Sequence, residues 1–183
     1  MGDLEAGLDR NWDLDNFGPV SLQQNIQQIH LCALRNELNE GDEAGEAPTN
    51  HWVLSLEISS ASSIMIDMVP GYGDDGLRGK IEVASLDERY TSETLQVFSF
   101  PITHATTVRS FMELVQSKGR QLFTFSPEWE GCRHWLSVVM ADLDDAGWVS
   151  KGSAAIAREA LLQYWINPSG SEPRIMREGV FRT

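Results

Sequence analysis

The sequence predicts an α+β domain, a mostly antiparallel sheet of about five strands carrying three helices. Apolar residues alternate strictly through Trp52, Leu54, Leu56 and Ile58, then again through Ile64, Ile66 and Met68. Only Ser59 to Ser63 separates the two runs, and period two on both sides of a short turn marks an antiparallel hairpin. Later segments switch to helical spacing, with Val108, Phe111, Leu114 and Val115 on one stripe and Ile156, Ala160, Leu161, Tyr164 and Trp165 on another. Strands and helices are unevenly interleaved, which argues against the regular alternation of a parallel α/β sheet.

Taken in order, residues 1–19 are acidic and dotted with glycine, and read as an N-terminal arm. A single α+β domain spans 20–183. Its first stretch is two-valued: Leu22, Ile26, Ile29 and Ala33 fit a helix, while Ile29, Leu31 and Ala33 fit a strand. The strand Gln28–Leu34 is preferred, because it can pair with the strand after His51 across the loop 36–49. That loop is rich in Asn, Glu, Gly and Ala and is expected to be mobile. Ser59 to Ser63 turns the chain, and Pro70 to Gly76 is a Gly/Asp-rich connection. Further strands are expected at 79–85 and 95–100, a helix at 105–117 stopped by Gly119, and a strand at 121–125. A helix from Cys132 to Ala146 closes at Gly147, and a last helix runs from a Ser153 cap to Trp165. The tail ends in a short extended piece at 179–181.

The chain has 183 residues, 42% of them hydrophobic, enough for one substantial core. It carries 14 Lys and Arg against 27 Asp and Glu, a net charge of −13. A surface so negative repels phosphate backbones and anionic lipid, so neither nucleic acid nor a membrane surface is an expected partner. No apolar run reaches membrane-spanning length, and no signal-peptide pattern opens the sequence. Cys32 and Cys132 are too few for a disulfide framework and match no zinc spacing. A cytoplasmic protein without metal or other cofactor is the expectation.

Chemistry concentrates in two segments, Asn50-His51-Trp52 and Gly131-Cys132-Arg133-His134-Trp135. Cys132 falls in the first turn of its helix, where unpaired N–H groups and the positive end of the dipole favour a reactive thiol. His51 heads a strand. A thiol at a helix start and an imidazole on a strand are two halves of a cysteine nucleophile site. By alternation Asp67 shares a face with His51 on the adjacent strand and can orient the ring, but that face lies opposite Trp52 and Leu54, where a helix should pack. A small buried hydrophobe and a redox thiol are the other readings of Cys132. His134 points about 200° around the helix from Cys132 and is not its base. Arg133 either holds a substrate carboxylate or pairs with Glu128 or Glu130. Trp52, Trp129, Trp135, Tyr72 and Phe125 lie near element ends, and either wall an aromatic pocket or form core.

The order of a His-aromatic strand followed much later by a Cys-x-His-aromatic helix start resembles the circularly permuted papain-like hydrolases and acyltransferases. The lecithin:retinol acyltransferase group shows it most clearly. Gly131 stands where that group has Asn, and Arg133 where it has an acidic residue. The resemblance implies a papain-like fold with Cys132 as nucleophile, His51 as base and Asp67 nearest to the third polar residue. The Asn-His-Trp and Gly-Cys-Arg-x-Trp signatures are also similar to those of an uncharacterised family of small fungal proteins. The expected activity is thiol-dependent hydrolysis or acyl transfer on a small amide, ester or thioester. Trp52, Trp129, Arg133, Trp135 and Tyr72 are the expected substrate contacts. The alternative is non-covalent binding of a small molecule in an aromatic pocket, or a cyclase or isomerase of secondary metabolism.

Overall fold

Alternation along the central strands builds a sheet whose rows match across every pairing. In the computed structural model, which describes residues 11–37, 39–41, 47–166 and 170–183, Leu31 stands beside Leu54, Leu54 beside Ile66 and Ile66 beside Val83. These residues share one face and, with Ile29, Trp52, Leu56, Ile64, Met68 and Ile81, form the sheet's side of the core. The strands are β1 (Trp12–Asn16), β2 (Gln28–Leu34), β3 (His51–Ser59), β4 (Ser62–Tyr72), β5 (Arg78–Leu86), β6 (Thr94–Pro101) and β7 (Phe123–Thr124). A small β8 (Gln163–Trp165) pairs with β9 (Ser171–Pro173), and β10 (Val180–Phe181) pairs with β7. The helices are α1 (Val108–Ser117), α2 (Cys132–Asp145) and α3 (Ser153–Leu161), with a 3-10 turn at Pro19–Gln23.

The α+β class is thus observed, but the main sheet is larger than the five strands expected. It has eight strands among the described residues, in the order β10-β7-β5-β4-β3-β2-β6, with β1 also on β5. β7 and β10 fall inside the strand expected at 121–125 and the extended piece expected at 179–181, each with two residues. β1 lies inside the segment read as an arm; it pairs in parallel with β5, and Trp12 is buried in the core. Residues 1–10 of that arm, and residues 38 and 42–46 of the acidic loop, lie outside the described residues. The described part of the loop is tied at its base, where Asn39 Nδ2 donates to the Ala47 carbonyl and to Thr49 Oγ1 at 3.3 and 3.1 Å.

α2 lies on the apolar face against β3 and β4, and α3 packs beside it. Phe111, Trp135, Val139 and Met140 supply the helical side of the core. α3 stops at Leu161 rather than at Trp165, and Tyr164 and Trp165 turn into β8. Ser153 does not cap it: Asp144 Oδ2, from the end of α2, accepts the N–H groups of Gly152 and Ala154 at 2.9 Å each. The second face of the sheet is covered as well. The β5–β6 connection folds over it, with the Arg89 and Glu88 carbonyls accepting from Ser55 and Ser63 hydroxyls at 2.8 Å each. Beneath it His30 is fully buried between Glu57 (2.7 Å) and Ser99 (2.8 Å), with Tyr90 edge-on.

Candidate functional site

His51 is the first residue of β3, opposite Leu34 at the end of β2. Asn50 just before it is buried and fixes that end of the strand. Its amide nitrogen donates to the carbonyls of Leu34 (3.2 Å) and Trp165 (3.1 Å), and its oxygen accepts the Trp165 N–H at 2.6 Å. The ladder between β3 and β4 runs only as far as Leu54 and Ile66. Beyond it Asp67 turns one carboxylate oxygen to His51 Nε2 at 2.9 Å. The imidazole is 28% exposed and the carboxylate 13%, so the pair is only partly shielded from water.

Cys132 opens α2. The first backbone bond of that helix runs from the Trp135 N–H to the Gly131 carbonyl at 2.9 Å, and no side chain caps the N-terminus. The N–H groups of the first turn therefore have no acceptor within the helix. The thiol is partly exposed, lines the same cleft as His51 and adds to the raising of its pKa. Asp67 occupies Nε2, which leaves Nδ1 as the ring nitrogen open to the sulfur. Burial works against the protonated imidazole, yet the charge and hydrogen bond of Asp67, helped by Cys132, hold His51 well above its ordinary value. The structure thus brings Cys132, His51 and Asp67 together. Trp52 and Met68, next to His51 and Asp67, still face the core, so alternation holds here; the site forms because the start of α2 and the start of β3 line one cleft.

Gly131 allows the approach. A Cβ there would come within 2.8 Å of Phe123 and 3.0 Å of Phe125, so only glycine lets the start of α2 sit against these rings. The resulting cleft has a volume of about 1350 Å³ and is lined around His51 and Cys132 by Leu34, Val69, Pro70, Phe125 and Trp129 among others. Trp129 is 52% exposed and takes a left-handed φ of 61°. Its ring packs over Gly76, where a Cβ would meet it at 2.6 Å.

The remaining expected contacts are corrected by the packing. Trp52 and Trp135 are fully buried core residues; Trp52 stacks on Phe98, and Trp135 Nε1 donates to the Arg120 carbonyl at 2.7 Å. Each indole belongs to the apolar stripe of its element, and burial claims it. Tyr72 is not part of the cleft lining and lies under the Lys80 ammonium, 4.9 Å from the ring centre. Arg133 borders the cleft but is 4% exposed and committed, donating to Glu130 (2.7 Å) and to the Ile175 carbonyl (2.8 Å). His134 packs between Phe123 and Phe181, and burial lowers its pKa. Cys32 is fully buried, and burial pushes its thiol up to about 12. Among the described residues no group of three His, Cys, Asp or Glu side chains could hold a metal ion, and no helix is long and apolar enough to cross a membrane.

Residues 29–182 match a family described as Domain of unknown function (DUF7770). The chain belongs to that family. The match takes in β2 through β10, so His51, Asp67 and Cys132 all lie inside the family domain. No curated protein and no solved structure matches the chain.

Proposed function

We propose that this member of the DUF7770 family is a thiol-dependent hydrolase or acyltransferase for a small amide, ester or thioester, of circularly permuted papain-like character. The observation that carries the reading is a cleft lined by both Cys132 and His51, with His51 held by Asp67 at 2.9 Å behind it. The chain order of base, orienting carboxylate and nucleophile supports the permuted assignment. A protonated imidazole beside a cysteine is the arrangement that activates thiol nucleophiles.

In this reading Cys132 Sγ attacks the carbonyl carbon as a thiolate, its proton resting on His51. The new C–S bond sends an electron pair onto the carbonyl oxygen, and the uncapped N–H groups at the start of α2 hold that oxyanion. Collapse of the intermediate breaks the bond to nitrogen, oxygen or sulfur, and His51 returns its proton to the departing group. Water or an acceptor then attacks the thioester, gives its proton to His51 and frees Cys132. Asp67 keeps the ring oriented throughout.

Mass spectrometry after incubation with an activated ester such as p-nitrophenyl acetate tests this directly. An acyl group on Cys132, released with time and lost in Cys132→Ser and His51→Ala, is the expected result. Absence of acylation, together with iodoacetamide labelling of Cys132 that His51→Ala leaves unchanged, would overturn the reading in favour of a non-covalent pocket.

A further inference from the structure

The charged groups around the cleft are lopsided. Both lining arginines are already engaged: Arg35 pairs with Glu40, and Arg133 with Glu130 and main-chain carbonyls. Neutral donors are engaged too. Asn50 is taken up by Leu34 and Trp165, and Asn36 and Asn39 both donate to Thr49 Oγ1. What remains open is acidic. Among the described residues Glu37 and Glu93 line the cleft without an ion pair, Glu37 acting only at longer range on Arg35. Glu128, another exposed lining carboxylate, meets Arg177 at 3.3 Å. The half-exposed face of Trp129 lies on the same wall and offers a cation its quadrupole. Apart from His51, which is paired with Asp67, and the start of α2, whose N–H groups are reserved for the reacting oxygen, an anion entering here meets carboxylates.

We propose that the substrate of this cleft carries a protonated amine beside its reacting carbonyl, and that thioesters on phosphate-bearing carriers are rejected. This rests on the thiol-transfer reading above and narrows it to amides or esters of cationic amines. The net charge of −13 adds to the selection by drawing cations toward the molecule before they reach the cleft.

Three methanethiosulfonates of similar reactive group separate the two ideas: the neutral methyl reagent, the trimethylammonioethyl cation and the sulfonatoethyl anion. Each gives up its sulfenyl sulfur to the Cys132 thiolate, forming a mixed disulfide and expelling methanesulfinate. Cys32, wholly buried, stays silent. Second-order rates are normalised to those with 2-mercaptoethanol. At low ionic strength the cation should outpace the anion by about tenfold, a preference that collapses in about 1 M salt. Glu37→Gln with Glu93→Gln should at least halve that ratio. A ratio near one, or a ratio that the double substitution leaves intact, overturns the cationic substrate. The neutral reagent reports on the underlying chemistry alone. If its rate at Cys132 does not depend on His51, the thiol-transfer reading fails whatever the charge ratio; if it does and the ratio is near one, only the substrate class fails.

Discussion

Gly131→Ala is the sharpest test of how the nucleophile is placed. The added Cβ would lie 2.8 Å from Phe123 Cε1 and 3.0 Å from Phe125 Cδ1. Carbon–carbon contacts relax near 3.5–4.0 Å, so the first turn of α2 must retreat by about 0.5–1 Å unless the rings yield. They are poorly able to yield, because Phe123 is fully buried and wedged between Phe125 and Phe181 at centroid distances of 5.3 and 4.9 Å. Overpacking of this kind costs about 1–3 kcal/mol, and each kcal/mol lowers the melting temperature by about 2–4 °C at this length. The larger effect is on chemistry, since a displacement near 1 Å at a reacting group can cost about 100-fold. Cys132 acylation should therefore slow by about 10- to 100-fold while most of the protein stays folded. Gly131→Ser adds a capping oxygen worth about 1 kcal/mol and should recover stability without recovering the rate, because its Cβ meets the same rings. Acylation kinetics and thermal melts on both variants decide the matter. Wild-type acylation in either variant would show that the glycine does not set the position of Cys132.

Asp67→Asn removes the charge that raises His51, so the ring's titration midpoint, followed by NMR, should move down. Because the folded value lies above the unfolded one, this pair's stabilisation is full below about pH 6.5 and is lost as pH rises through the folded value. Asp67→Asn should accordingly melt earlier than wild type at mildly acidic pH, with the gap closing in alkali. Glu57→Ala leaves fully buried His30, whose pKa burial lowers, without its acceptor and should cost about 1–3 kcal/mol, or roughly 2–12 °C in a thermal melt. Arg133→Met should free residues 174–177, read as new protease cleavage there below the melting temperature, because the guanidinium that holds the Ile175 carbonyl at 2.8 Å is gone.

Legibility in the sequence followed burial. β2 was readable to the residue because Ile29, Leu31 and Ala33 all face the core, and β3 and β4 stood out for the same reason. His51 and Asp67 could be placed on one face by counting. β1 was hidden, since it offers only Trp12 and Leu14 as alternating apolar residues among strand-disfavouring Asp, and its partner β5 lies far along the chain. The end of the last helix was misread because Tyr164 and Trp165 continue its spacing while the backbone has already become β8. Within the site, the approach of Cys132 to His51 depends on where the start of α2 settles against β3, and periodicity carries no mark of that. The aromatic residues misled for a related reason: an indole at the end of an element looks the same whether it faces ligand or core. Asn50 was visible as a motif letter, but its three partners are main-chain atoms that no sequence pattern displays.

Those partners carry a consequence for when the cleft is completed during synthesis. Asn50 is joined to Trp165 across a separation of 115 residues, and Arg133 to Ile175 across 42. Both ties reach from the segments around His51 and Cys132 to a stretch that leaves the ribosome long after His51 has done so. A nascent chain can pair β2, β3 and β4 early, since these contacts are local, and still hold an unanchored imidazole and an unbraced helix start. Reactivity at Cys132 should thus switch on late, with emergence of residues 163–176, so that a stalled or clipped chain is folded in its sheet yet chemically quiet.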